Sequence, residues 1–232
     1  MDFLFLIDNN LKMEIIYQDK DLVVVNKLAG VASEEVTPAL FLAHRLDKYT
    51  SGVLVLARNE NTQAFLRAQF KERKVKKEYF ALVLGAIKNK SGVIDLPIGR
   101  SGGKFFKRIS AGKLRGTVRE ARTEYRVLEN FLDFKDAKDG LALVAVFPKT
   151  GRTHQIRSHF AAIGHPLVCD KLYAGKRFIC PFGLNRQFLH AFAIELGLPT
   201  GARIRLEAQM PKDLQLVLAQ LRKTSKDDKV HK

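Results

Sequence analysis

The sequence predicts an α+β fold with a mixed or mostly antiparallel sheet and flanking helices, and three observations carry that reading. Short apolar runs bounded by turn residues, about eight or nine of them, outnumber the three or four stretches with helical periodicity. The two kinds of segment do not alternate as a parallel α/β chain requires. No internal repeat and no linker-like stretch divides the chain of 232 residues, so one domain over residues 1–222 is expected, with a charged, disordered tail at 223–232.

The elements follow in order. Glu14–Tyr17 and Leu22–Val25 are apolar runs separated by Gln18-Asp19-Lys20-Asp21, a strand pair around a tight polar turn. Thr50-Ser51-Gly52 is a turn signal, and Val53–Ala57 behind it reads as a buried strand. A helix fits residues 61–73, with Phe65, Leu66, Gln69 and Phe70 around one side, and Glu78–Leu84 is the next strand. Residues 122–128 and 141–147 form a second strand pair. A helix is expected from Thr153, capped by that residue, with Ile156, Phe160 and Ile163 on one face and Gly164 at its C-terminal end. Strands at 188–196 and 202–208 and a short helix at 213–221 complete the set.

Composition narrows the class. A hydrophobic fraction of 46% and a charged fraction of 28% are those of a soluble globular protein. No apolar run reaches the roughly 18–20 residues that span a bilayer, and the N-terminus lacks the features of a signal peptide, so a cytoplasmic protein is expected. Cys169 and Cys180 read as two reduced thiols, with zinc or a disulfide as the alternatives. The net charge of +16, from 40 Lys and Arg against 24 Asp and Glu, points to a polyanionic partner. It is concentrated between Gly99 and Arg122, where eight basic residues face the single acid Glu120, a local excess of +7. That glycine-containing segment, with Lys104, Lys107, Arg108 and Lys113, reads as a flexible region that tracks phosphates.

Three constellations are candidates for chemistry. In His44-Arg45-Leu46-Asp47-Lys48, the carboxylate of Asp47 lies between two cations that favour its ionised, nucleophilic form. An Asp that organises a turn is the competing reading. Lys74-Val75-Lys76-Lys77-Glu78-Tyr79 ends a basic run in an aromatic, which suits base stacking beside phosphate contacts but also suits a core tyrosine. Gly151–His159 gathers Arg152, Arg157, His154 and His159 at a helix start, where backbone N–H groups favour an anion. The two histidines are five apart rather than at the i, i+4 spacing of a helical zinc site, so no metal is expected.

These segments, in this order, closely resemble the motifs of the large-subunit-type (RluA-type) RNA pseudouridine synthases. The catalytic motif is similar to His44-Arg45-Leu46-Asp47…Thr50-Ser51-Gly52. Ile16-Tyr17…Asp21–Lys27…Ala29-Gly30 looks like the opening hairpin and Lys77–Val83 like the second motif. Thr150–Arg157…Gly164–Leu167…Asp170…Tyr173 looks like the third, with further matches at Pro97–Arg100, Thr123–Leu128 and Leu189-His190-Ala191. Leu28 stands where the family usually has proline. The small N-terminal RNA-binding domain of many relatives is not expected in this chain.

The resemblance implies a pseudouridine synthase fold with a central RNA-binding cleft. It also implies an isomerase that breaks the N1–C1′ bond of a flipped-out uridine and rejoins the base through C5, without a cofactor. Its substrate would be structured ribosomal or transfer RNA. By the same resemblance Asp47 is the essential carboxylate, Tyr79 stacks on the base and is a candidate acceptor of the C5 proton, and Arg157 pairs with Asp47. Arg45 fills the gap left by the flipped nucleotide, and Leu189 lines the pocket. Two other classes compete on the residues: a non-catalytic basic RNA-binding protein, which leaves the Asp47 motif unexplained, and a nucleoside or glycoside hydrolase, which normally needs a second carboxylate.

Overall fold

In this computed structural model, residues 4–6, 12–36, 39–101, 108–112, 114–132 and 134–230 are described. Strands form first where aliphatic and β-branched residues run together: β1 Leu4–Leu6, β2 Lys12–Gln18, β3 Leu22–Lys27, β4 Phe41–Leu42 and β5 Ser51–Ala57. Helix α1 Glu60–Lys71 is followed by β6 Lys76–Leu84, β7 Ser91–Asp95, β8 Ile98–Ser101, β9 Arg108–Ile109 and β10 Leu114–Arg119. Then come β11 Arg122–Phe131, β12 Leu141–Pro148, α2 Gln155–Ala162, β13 Leu189–Gly197, β14 Arg203–Glu207 and α3 Lys212–Val230. The fold is α+β, as the pattern of segments predicts.

The chain divides into two compact units, each made of two chain segments. The chain passes from one unit to the other inside β6, at the start of β13 and in the short connection between β14 and α3. The first unit comprises Met1–Tyr79 and His190–Met210. Its strands run in the order β1-β2-β3-β5-β13, with β14 on β13 and β4 on β5. Every residue of β5 is buried. One face of β3 and β5 packs Leu22, Val24, Val53 and Val55 with Leu66 of α1 and with Ile194 and Leu196 of β13. The other face packs Val23, Val25, Leu54 and Leu56 with Met13, Leu46 and Ala191. This two-faced burial is why β5 reads as a continuous apolar run.

Helix α1 starts at Asn59, whose side chain accepts from the Thr62 N–H at 2.8 Å. It is clasped to β13 by Gln69, which donates to the Gly197 carbonyl at 2.9 Å and accepts from the Gly197 N–H at 2.8 Å. Strand β13 meets β5 in parallel at His190↔Ser51 and Ala191↔Gly52. Gly52 has φ +117°, and a Cβ there would collide with the Ala191 backbone, so only glycine admits this approach.

The second unit comprises Phe80–Leu189 and Pro211–Lys232. Antiparallel β11 pairs with β12 on one side and β7 on the other. The basic segment 99–122, expected to be flexible, contains instead a three-stranded sheet in the order β10-β8-β9. Lys104, Lys107 and Lys113 lie outside the described residues, whereas Arg108 begins β9. Helix α2 starts two residues later than expected. Thr153 is not its cap; His154 is, in the left-handed region at φ 55°.

Helix α3 runs to Val230 and so continues through the segment expected as a disordered tail. Cys169 and Cys180, expected as free thiols, are joined as a disulfide with Cα atoms 4.5 Å apart. The eleven-residue separation gave no hint of this, but the Cys169 N–H donates to the Ile179 carbonyl at 2.8 Å and brings the two ends of the loop together. No described helix is long and apolar enough to cross a membrane.

Candidate active site

In the first unit, the loop that carries Asp47 is pinned on both sides through its backbone. Ahead of it, the Ser33 hydroxyl accepts from the Leu46 N–H at 3.0 Å and donates to the Leu46 carbonyl at 3.1 Å. Behind it, the Lys48 carbonyl accepts from the Gly30 N–H at 2.9 Å and from the Lys27 ammonium at 3.2 Å. Asp47 closes the turn with its own carbonyl, which accepts from the Thr50 N–H at 2.9 Å. Lys27 is fully buried and also donates to the carbonyls of Leu28 and Val31, both at 2.8 Å. Three carbonyls thus meet the three donors of an ammonium that would otherwise be costly to bury. The hairpin exit and the Asp47 loop are thereby held as one piece.

Tyr79 belongs to the same unit and packs against the cluster that contains Leu46 and Ala191. Burial, and after it the negative charge of Asp47, push its phenol well above the usual tyrosine range. The two residues are therefore brought together, and the ring is uncharged at neutral pH. Arg45 projects outward: its side chain is 72% exposed and meets Glu34 at 2.7 Å.

His44 accepts from the Val55 N–H at 3.1 Å and lies against Phe70, ring centroids 4.8 Å apart. Burial, and then the charge of Lys77, lower its pKa from 6.5 to about 3. Lys77 is itself lowered to about 8 by burial. Between the two His44 values the unfolded chain binds a proton that the folded chain refuses, so stability is full above pH 6.5 and is lost as pH falls toward 3. The loss is at most about 1.4 kcal/mol per pH unit. Denaturant unfolding at pH 7 and pH 5 should show a smaller difference for His44→Gln than for the parent. An equal difference would assign the pH dependence to other groups.

In the second unit, α2 presents Arg157, nearly buried, to Asp170, fully buried. Arg157 Nε and Nη2 donate to the two Asp170 oxygens at 2.7 and 2.9 Å, a bidentate pair. Asp170 Oδ1 also accepts from the N–H groups of Leu172 and Tyr173, at 3.1 and 3.2 Å. The Arg157 guanidinium lies over the Tyr173 ring, 5.0 Å from its centroid. The Tyr173 hydroxyl accepts from the Arg108 N–H and bonds His154 Nδ1, both at 3.1 Å. Leu189, at the start of β13, is buried. Among the described residues no cluster of three or more His, Cys, Asp or Glu is arranged to hold a metal ion.

Reasoning from the sequence named Asp47, Tyr79 and Arg157 but missed Lys27, Ser33, Asp170 and Tyr173 as the groups that hold such side chains in place. Asp170 and Tyr173 stood in the matching motif without a role. Lys27 likewise stood in the matching opening hairpin without a role. Only its place close behind four buried aliphatic residues hinted at burial.

Comparison with known proteins agrees with this architecture. A model of the family described as RNA pseudouridylate synthase matches residues 21–162. The chain is 34% identical over 247 residues to ribosomal large subunit pseudouridine synthase D of Pseudomonas aeruginosa, covering 92% of this chain and 73% of that one. It is also 34% identical over 229 residues to ribosomal large subunit pseudouridine synthase C of Vibrio vulnificus, covering 90% and 69%. Among solved structures, human RNA pseudouridylate synthase domain containing 1 superposes with a TM-score of 0.71 at 29% identity, over 90% of this chain and 94% of that one. The chain belongs to the RNA pseudouridine synthase family and is, by that membership, an isomerase.

Proposed function

We propose that this enzyme converts particular uridines of structured RNA, ribosomal or transfer RNA, to pseudouridine in the cytoplasm, with Asp47 as the reacting carboxylate and the target base flipped out. The observation that carries the reading is the pairing of Asp47 with Tyr79: a carboxylate on a backbone-pinned loop, close enough to an uncharged tyrosine to raise its pKa. A rigid loop fixes where the carboxylate acts, and a neutral ring offers a flat face for uracil. Of the two roles that the resemblance implies for Tyr79, stacking is the one served by an uncharged phenol.

Arg157, held by Asp170, is the guanidinium that the resemblance pairs with Asp47. Arg45, exposed next to the loop, fills the space that the flipped nucleotide leaves. Leu189 is the residue that the resemblance assigns to the pocket lining. The relatives' names point to large-subunit ribosomal RNA as the first substrate to try. Of the described arginines of the basic sheet, Arg100, Arg115 and Arg119 are exposed and Arg108 is half-buried, which leaves the first three open to phosphate contacts.

Two measurements test this. Mapping pseudouridines in ribosomal and transfer RNA from cells with and without the protein should reveal positions lost in its absence, restored by the purified enzyme. Affinity across a salt series should then separate phosphate contacts from pocket contacts. Neutralising Lys104, Lys107, Arg108 and Lys113 together should flatten the dependence of log affinity on log salt by roughly one unit or less for each phosphate interaction removed, with turnover of bound RNA little changed. An unchanged slope and affinity would leave the segment without a part in binding RNA.

A further inference from the structure

Tyr173 stands where three structures of the second unit meet, and the proposed reaction gives it no role. Its N–H bonds Asp170, in the turn that also brings the Ala174 N–H to the Asp170 carbonyl at 2.9 Å. Its ring lies under the Arg157 guanidinium, and its hydroxyl reaches the backbone of β9 and the residue that caps α2. A tyrosine hydroxyl has one proton and two lone pairs. The Arg108 N–H occupies one lone pair, and the proton goes to His154 Nδ1 when that histidine carries its own proton on Nε2. A second tie runs alongside, between Ser110 and the Ser158 hydroxyl on α2, 2.8 Å apart and buried. The basic sheet is therefore fastened to the helix that carries Arg157, and one of the fasteners is the side chain on which that guanidinium rests.

We propose that Tyr173 is a positioning residue that couples the phosphate-tracking basic segment to Arg157: its hydroxyl seats β9, and its ring face fixes the plane of the guanidinium. The two bonds to Asp170 restrain the guanidinium within its own plane. The Tyr173 ring beneath it adds a restraint against tilting out of that plane. Because both functions sit on one side chain, RNA that engages the basic sheet steadies Arg157, and a loosened sheet releases it. The proposal rests on the role given to Arg157 above.

The two functions can be separated by substitution. Tyr173→Phe keeps ring and volume and deletes only the hydroxyl. Tyr173→Leu deletes both functions. With ribosomal RNA from cells lacking the protein as substrate, Tyr173→Phe should raise KM by roughly five- to ten-fold while kcat stays within about two-fold. Tyr173→Leu should raise KM similarly and lower kcat by about ten-fold or more. A wild-type KM for Tyr173→Phe overturns the proposal by itself, and that variant is close enough in shape to fold. A kcat for Tyr173→Leu no lower than that of Tyr173→Phe overturns the ring function, and Tyr173→Met replaces the leucine variant if thermal melting shows that it unfolds. Arg157→Gln in the same assay keeps the two readings apart. A wild-type kcat there removes Arg157 from the reaction, whereas a reduced kcat beside a normal Tyr173→Leu overturns the coupling alone.

Discussion

Asp47→Asn is expected to bring pseudouridine formation down by roughly 10⁴-fold or more, the scale of loss when a reacting nucleophile is removed. RNA affinity should change by no more than a few-fold. The fold should be unaffected, because the bonds described above that hold the loop at Leu46, Lys48 and Thr50 use backbone groups and not the Asp47 side chain. A second readout checks the geometry. The carboxylate's charge helps to raise the pKa of Tyr79, so ultraviolet titration should show that phenol ionising at lower pH in the Asn variant, though still above an ordinary tyrosine because burial is the larger cause. Wild-type turnover by Asp47→Asn would end the assignment of the reacting group. An unmoved Tyr79 titration would separate the two residues.

The second large effect is expected at Arg157. Arg157→Gln leaves Asp170 fully buried without its cation, and breaking a buried pair in this way costs roughly 3–5 kcal/mol of stability. The N–H groups of Leu172 and Tyr173 still reach Asp170 Oδ1, which places the loss toward the lower end of that range. Turnover of bound RNA should fall by roughly 10²–10³-fold, as when one charged donor is taken from a preorganised site. The salt slope of binding should hardly move, opposite to the basic-segment variant. Guanidinium chloride unfolding and single-turnover kinetics on the same preparation decide the two parts. A stability loss with turnover close to that of the parent would make Arg157 a structural residue only.

Much of the fold was legible in the sequence where burial is two-sided or strictly alternating. Leu22–Val25 and Val53–Ala57 announced β3 and β5 because both of their faces meet apolar neighbours. The basic segment hid its strands, since β10 exposes nearly every residue and alternation has nothing to reveal there. The entry to α2 was misplaced because Thr153 is an ordinary capping type, while the left-handed turn at His154 is set by tertiary contacts to Tyr173. Helix α3 outran its expected end because its polar second half lacks the apolar periodicity used to find it. The residues proposed to react stood out through motif order. Their supports did not, because a buried Lys27 or a bidentate Asp170 looks like any other charge until its partners are known.

The parallel joint of Ala191 against Gly52 has a consequence for how the protein is made. The strand that flanks the exit of the Asp47 loop is synthesised 139 residues after Ser51, its partner in pairing with His190. As the chain leaves the ribosome, β3 and β5 emerge first, yet the apolar face they share with Ile194, Leu196, Leu206 and Ala208 is covered only by α1 until β13 and β14 follow. Closing so long a loop carries an entropic cost that slows folding. The surroundings of the proposed reacting carboxylate are therefore completed only once β13 has emerged, and a product ending before β13 would expose part of this apolar face.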